Sequence, residues 1–316
     1  MNELGPVDTS GNGSFTGGGA LQHLWDSTSL GALKQCPRYY ELSIVRGYAL
    51  RALAVDLRFG LLMHSARERF YRARAQGTGH DEALLASVEY LLTQTYDTEA
   101  QRPWASDHPQ KNRLTLVRTF VWYADQWKDD PLETIMLANG APAVELTFRF
   151  PTDYVSPSGA NFELGGHLDR MVRFQGEIWD SDLKSTKSTL NQGYFEQFTP
   201  DNQFSLYAFA SKVVYDLPVR GIIVDAAQVA VTFSRFQRGI VARSNDQLNE
   251  WYGELGTWLE QATSYAKANH WPQNDKACFR CSFRSICARP ASVRRQWLET
   301  DFQRRVWDPS ISRGDI

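Results

Sequence analysis

The sequence predicts an α/β layer fold of the α+β kind, in which a mixed central sheet is flanked by helices. Three observations predict it. Apolar residues recur at helical spacing through most of the first 130 positions. Alternating apolar and polar residues then run through three segments between 142 and 184, and helical spacing returns from 201. A chain of 316 residues, 42% of them hydrophobic, is long enough to bury the core that such layers need.

Taken in order, residues 1–20 are rich in Gly and Ser and read as a flexible leader that buries too little apolar surface to order itself. The leader has neither a basic start nor an apolar stretch, so it is not a secretory signal. Beyond Leu21, Ser27 or Ser29 suits a helix N-cap, and Pro37 redirects the chain just after Cys36. Residues 53–75 (LAVDLRFGLLMHSARERFYRARA) form a helix around His64, and amphipathic helices are expected at 81–98 and 112–128. Strands are expected at 142–150, 162–174 and 177–184, the last two joined by a Gln175-Gly176 turn. An aromatic-rich helix at 201–214, strands at 221–233 and 239–242 and a helix at 246–269 complete the layers. Four parts result: the leader 1–20, a helical region 21–135, a sheet-bearing core 136–270, and a C-terminal module 271–316 with three cysteines and a basic tail.

Lys plus Arg number 34 against 36 Asp plus Glu, a formal net charge of -2, which excludes a protein that coats nucleic acid by overall positive charge. A local basic channel beside an acidic site remains compatible with it. No apolar run approaches the roughly 20 residues that a bilayer-spanning helix needs, and no GxxxxGK[ST] phosphate loop occurs. A cytoplasmic location is the expectation.

The chemistry concentrates in GGHLDRMVRFQGEIWDSDLKSTK, which begins at Gly165. Residues two apart on a strand share a face, so Asp182 and Lys184 project together, and a tight hairpin brings Asp169 beside them. Two neighbouring carboxylates repel; a divalent cation relieves that repulsion, and oxygen donors suit Mg²⁺ or Mn²⁺. Lys184 then offers a fixed positive charge to a phosphate and an attacking water, an arrangement suited to phosphodiester hydrolysis. By itself D-x-K on a strand is more often an exposed charge pair, although Ile178, Trp179 and Leu183 make this segment apolar. His167 precedes Asp169 by two and is expected to pack rather than join the site.

Asp169 followed by Asp182-Leu183-Lys184 resembles the PD-(D/E)xK nuclease core, with Leu168 where a proline usually stands. The neighbours resemble the RecB-like branch, which includes the iron–sulfur nuclease of CRISPR adaptation, a mitochondrial-type exonuclease and the AddB-type helicase–nuclease subunit. The likeness runs from about 29 to 290. It implies a restriction-endonuclease-like core in which His64, Asp169 and Asp182 bind metal, helped by a backbone carbonyl near Leu183. Gln203 and Tyr207 match the branch's Q-x-x-x-Y motif. Spaced four apart, they share a helix face from which they reach nucleic acid or position Lys184. Glu145 matches an acidic position on the strand before the first aspartate.

Only four cysteines occur: Cys36, Cys278, Cys281 and Cys287. In a reducing compartment clustered cysteines more often hold metal than form disulfides. The C-x2-C-x5-C spacing suits zinc and iron–sulfur sites alike, so spacing leaves both open. The resemblance favours a [4Fe–4S] cluster on all four, with a structural role. Joining residues so far apart would stabilise the fold by about 4 to 5 kcal/mol if it acted like a disulfide. Arg280, Arg284, Arg289, Arg294 and Arg295, with Phe279, Phe283 and Trp297, form either a path for single-stranded DNA or a solvated basic tail.

The expectation is a Mg²⁺- or Mn²⁺-dependent deoxyribonuclease, an exonuclease on single-stranded ends as the resemblance implies. The competing reading is a DNA-binding or scaffolding subunit of a helicase–nuclease or CRISPR adaptation complex. Partners to consider beside DNA are a helicase, an adaptation complex or further copies of the chain.

Overall fold

In the computed structural model of the chain, residues 4, 5, 7–15, 19–51 and 55–309 are described. In chain order the main elements are β1 (Leu24–Trp25), α1 (Ser27–Gln35), β2 (Tyr48–Leu50), α2 (Val55–Ala75), α3 (His80–Gln94), α4 (Arg113–Gln126), β3 (Glu133–Thr134) and β4 (Val144–Val155). There follow β5 (Asn161–Phe174), β6 (Glu177–Thr186), α5 (Gln192–Glu196), α6 (Asn202–Tyr215), β7 (Val219–Val229), β8 (Ser234–Ala242), α7 (Asn245–Ala268), α8 (Ala291–Asp301) and β9 (Phe302–Arg304).

The chain divides into two compact units, each made of separate stretches. The three successive regions expected after the leader are therefore not the compact bodies. One unit comprises Leu53–Leu146 and His167–Ser244. Its sheet runs β5-β6-β7-β8, with β3 antiparallel on β5, β5 antiparallel to β6, β6 parallel to β7 and β7 antiparallel to β8. Gln175 and Gly176 both take positive φ, 52° and 81°, the two-residue hairpin geometry whose twist suits flanking strands. β6 is thus an inner strand, paired on both edges as far as Asp180 and with β7 alone beyond it.

The apolar stripe of α2 (Phe59, Met63, Ala66, Phe70) packs with Leu116, Phe120 and Tyr123 of α4, Leu91 of α3, Leu183 of β6 and Val229 of β7 in one core. Leu183 faces this helical layer. Asp182 and Lys184, one position to either side of it, point the other way and meet α6.

The second unit comprises Met1–Ala52, Thr147–Gly166 and Asn245–Ile316. Here β1 pairs in parallel with β5 at Glu163 and Leu164, and β9 pairs antiparallel with β2. Trp25 stacks on Tyr40 at 5.2 Å between centroids, and Tyr40 meets Trp271 at 5.1 Å. The N-cap of α1 is Asp26, not Ser27 or Ser29. Its carboxylate accepts from Ser29 N–H at 2.9 Å while the Ser29 hydroxyl accepts from Asp26 N–H at 3.0 Å, a reciprocal capping box. The leader also departs from expectation within its described residues. Thr9, Asn12, Ser14 and Phe15 are buried, and the Asn12 side chain donates to the Trp307 carbonyl at 2.9 Å. Pairing with the C-terminal segment supplies the partners that this Gly-rich stretch cannot supply to itself; the rest of the leader lies outside the described residues.

Candidate active site

β5 and β6 pair as far as Met171 opposite Asp180. Two positions further along each strand stand Asp169 and Asp182. The Asp169 carboxylate accepts from the Leu183 N–H at 2.9 Å, and the side chain thereby takes the place of a rung of the ladder. His64, on α2, sets Nδ1 3.0 Å from the same oxygen. Glu145, at the start of β4 with φ 51°, lines a small cavity together with His64, Arg67, Asp169 and Arg170. Positive φ is uncommon for a non-glycine residue, so this backbone turn is held against its preference.

Asp182 and Lys184 form an ion pair at 2.7 Å. The Lys184 ammonium also donates to the Gln203 side-chain oxygen at 2.8 Å, and the Gln203 amide donates to the Tyr207 hydroxyl at 2.8 Å and to Asp182 at 3.5 Å. Gln203 and Tyr207 lie one turn apart on α6, whose N-cap Asp201 accepts from the Phe204 N–H at 3.0 Å. The pair therefore fixes Lys184 from the helix side. His64, Asp169, Asp182, Lys184, Gln203 and Tyr207 all fall in the unit with the central sheet. His167 is buried on β5.

Burial raises the Asp182 carboxyl above its usual range and the Asp169 charge adds to that, while Lys184 and His64 pull it back. Asp180, on the same strand face, is pushed well up by burial and by the Asp182 and Asp169 charges, against a 2.8 Å hydrogen bond from Ser211. Three carboxylates in so small a volume strain against one another.

Sequence reasoning missed Arg67. It follows His64 by one turn within the buried stripe of α2, and its guanidinium donates to the Ser181 hydroxyl at 2.7 Å and the Tyr123 hydroxyl at 3.1 Å. It also lies 3.5 Å from Asp225 and 3.6 Å from Asp169. Asp225, Arg238, Asp130 and Arg170 carry the charge network further beneath the site. The signal was present: a charge inside an apolar helical stripe (Met63, Ala66, Arg67, Phe70), and another inside the apolar strand segment IIVDAAQV.

A family model described as the PD-(D/E)XK nuclease superfamily matches residues 27–288, which contain every one of these side chains. The chain belongs to the PD-(D/E)XK nuclease superfamily. No curated protein matches it. Among solved structures, a protein from Eubacterium rectale provisionally named an exonuclease is 9% identical, with a TM-score of 0.47 over 85% of this chain and 90% of that one. The crystal structure of SSO0001 is 11% identical, with a TM-score of 0.36 over 84% and 87%. These distant likenesses add nothing to the family assignment.

Nucleases of this superfamily usually use divalent metals, and the donor chemistry fits one. Asp182 Oδ2 is buried and accepts no well-aligned hydrogen bond, although the Lys184 ammonium is near. Asp169 brings a second buried carboxylate and His64 an imidazole, so two hard oxygen donors are joined by one borderline nitrogen. Among the described residues, no three His, Cys, Asp or Glu side chains are drawn into a finished metal cage.

The four cysteines belong to the other unit. All are free thiols. Asn274 links two of them: its N–H lies 3.3 Å from Cys36 Sγ, and the Cys278 thiol lies 3.7 Å from its carbonyl. Burial raises the Cys281 thiol, and the charges of Cys36 and Cys278 raise it further. Burial likewise raises Cys287, with Arg38 and Arg294 opposing and Cys281 and Cys36 reinforcing. Cys281 and Cys287 pack on the cluster of Phe283 and Ile286, and among the described residues no three of the cysteines are gathered as metal ligands. Phe283, expected as a candidate stacking platform, is buried against Tyr39 and Phe302, because a ring at the centre of this small core has no free face. Phe279 is exposed, and Arg289 covers Trp297 at 3.5 Å.

No helix among the described residues is long and apolar enough to cross a membrane.

Proposed function

We propose that the chain is a divalent-metal-dependent deoxyribonuclease that removes nucleotides from single-stranded ends. The observation that carries this reading is the convergence of Asp169, Asp182, His64 and a Gln203-anchored Lys184 where the pairing of β5 with β6 ends. Asp169, Asp182 and His64 would hold Mg²⁺ or Mn²⁺, with the Leu183 carbonyl as a further oxygen donor. When bound, the ion supplies charge neutralisation at the phosphate and a more acidic water. Lys184 orients that water and offsets negative charge growing on the phosphate. Gln203 keeps the ammonium from collapsing wholly onto Asp182, and Tyr207 braces Gln203. The Leu183 N–H, donating to Asp169, keeps that carboxylate where this pairing ends.

We infer that the four thiols serve a [4Fe–4S] cluster of structural role; the C-x2-C-x5-C spacing and the use of every cysteine in the sequence support this, while among the described residues no three of them are gathered as metal ligands. Zinc is the competing occupant, which colour and metal analysis of anaerobically purified protein distinguish.

The test is cleavage of end-labelled single- and double-stranded DNA with Mn²⁺, Mg²⁺ or EDTA, alongside Lys184→Ala. Metal-dependent release of label that disappears in Lys184→Ala, with the protein's colour and melting point unchanged, supports the reading. Undiminished turnover by Lys184→Ala overturns the role of the lysine. Absence of cleavage by folded wild-type protein points instead to a DNA-binding subunit.

A further inference from the structure

The segment between β6 and α6 brings an aromatic residue to the site that neither the family motif nor the proposed chemistry uses. Asn191 caps α5 by accepting from the Tyr194 N–H at 2.9 Å. Phe195 then anchors the helix on β8. Its ring fills the space over Gly239, where an added Cβ would lie 2.2 Å from it, so only glycine admits this docking. With α5 pinned, the Tyr194 ring stands edge-on to Phe195 at 5.2 Å and to Phe198 at 5.6 Å, and Phe198 lies on Phe204 at 5.2 Å. The Lys184 ammonium sits 5.4 Å from the Phe204 ring. An aromatic series therefore runs from the catalytic lysine outward and ends on Tyr194, which is half-buried.

Burial, reinforced by the Asp182 charge and opposed by a hydrogen bond with Thr186, pushes the Tyr194 hydroxyl up to about 12. Just past β6, Lys187 is ion-paired with Asp56 at 2.9 Å, which leaves Lys184 as the cation beside this surface. A lysine at the inner end and a half-exposed aromatic ring at the outer end match a nucleotide, with phosphate toward Lys184 and base toward the ring.

Resting on the nuclease reading, we propose that Tyr194 is the stacking platform for the base adjoining the scissile phosphate and makes the site selective for unpaired ends. A base inside a duplex already has both faces covered and would have to unstack to meet this ring. A single-stranded terminus offers a free face at no such cost.

The experiment compares wild type, Tyr194→Ala, Tyr194→Phe and Tyr194→Trp on end-labelled single strands that carry an abasic residue at each successive position from the cleaved end. Stacking on one base is worth a loss of roughly 5- to 150-fold. Wild type should lose that much kcat/KM at one abasic position. Tyr194→Ala should lose a similar factor on unmodified DNA and nothing more at that position, whereas the Phe and Trp variants should retain most activity. An equal loss by Tyr194→Ala with and without the base overturns the proposal, as does a Tyr194→Phe variant as impaired as Tyr194→Ala. Should wild type not cleave at all, the nuclease reading fails separately. Anisotropy of the same oligonucleotides in EDTA then decides the stacking contact by the same pattern.

Discussion

Replacing Arg67 by Met tests how the site is held up from below. Met nearly fills the volume of the arginine stem, so little of the effect comes from a cavity. What disappears is a guanidinium only 3% exposed that bonds Ser181 and Tyr123 and faces Asp225 and Asp169 at 3.5 and 3.6 Å. Burial opposes its charge, but Tyr123, Asp225, Tyr71 and Asp169 together keep it firmly protonated. Asp225, fully buried, keeps the Tyr123 hydroxyl at 2.6 Å and Arg238 at 3.3 Å, so it is weakened rather than stranded. The expected cost lies toward the lower part of the roughly 3 to 5 kcal/mol seen when one member of a buried pair is removed. At roughly 2 to 4 °C per kcal/mol in a large domain, the melting temperature should fall on the order of 10 °C. Urea unfolding of Arg67→Met, Asp225→Asn and the double variant measures it. The double variant should cost less than the sum of the singles, because the second change removes the charge that the first left uncompensated. A loss below about 1 kcal/mol in Arg67→Met, or strict additivity, would refute the view that this network supports the site.

Other outcomes follow from the same geometry. Lys111 is buried with its ammonium 4.2 Å above the Phe59 ring, and burial lowers it to about 8, Asp56 opposing and Lys187 reinforcing. Below pH 8 the folded state carries a charge it disfavours, and that penalty fades as pH rises toward 10.5, the unfolded value. Lys111→Met should therefore be more stable than wild type at pH 7 by up to about 3 kcal/mol, the gap closing by about pH 10 in urea titrations. Asp130 behaves oppositely: despite burial, a hydrogen bond from Arg238 and the Arg170 charge hold it at about 2. Its contribution of about 2 kcal/mol is fully present above pH ~4 and lost as pH falls toward 2, so Asp130→Asn should flatten the acid limb of the stability curve. Cys281→Ala should yield colourless, poorly soluble protein; a well-folded variant that melts with wild type would contradict a structural cluster.

The layer fold and the placement of the candidate residues were legible where the side-chain period is strong. Alternation through 162–184 set the hairpin, and the period of two put Asp182 and Lys184 on one face with Asp169 across from them. The Gln203–Tyr207 spacing placed both on one helical face, though only the structure reveals that they hold the lysine. Helix ends were less legible: residues 95–98 leave the third helix, because the Tyr96–Asp97 pair forms a bridge with Arg102–Pro103. Ser27 and Ser29 looked like caps, but Asp26, one residue earlier, offered the better acceptor. What no local pattern reveals is long-range pairing. The C-terminal segment gives Asn12 its carbonyl partner, and the chain's two compact units are each stitched from stretches far apart.

The inner position of β6 governs which length changes the chain tolerates. The antiparallel neighbour β5 fixes its register as far as Asp180, and the parallel pairing with β7 carries it unbroken from Asp180 to Thr186. Deleting one residue between Asp180 and Lys184 would turn an apolar side chain toward α6 and a charged one toward the apolar helices, so homologous chains should keep their length here. The two-residue turn at Gln175-Gly176 is the nearest place where an insertion can be absorbed, as a bulge on the solvent side, without moving the carboxylates.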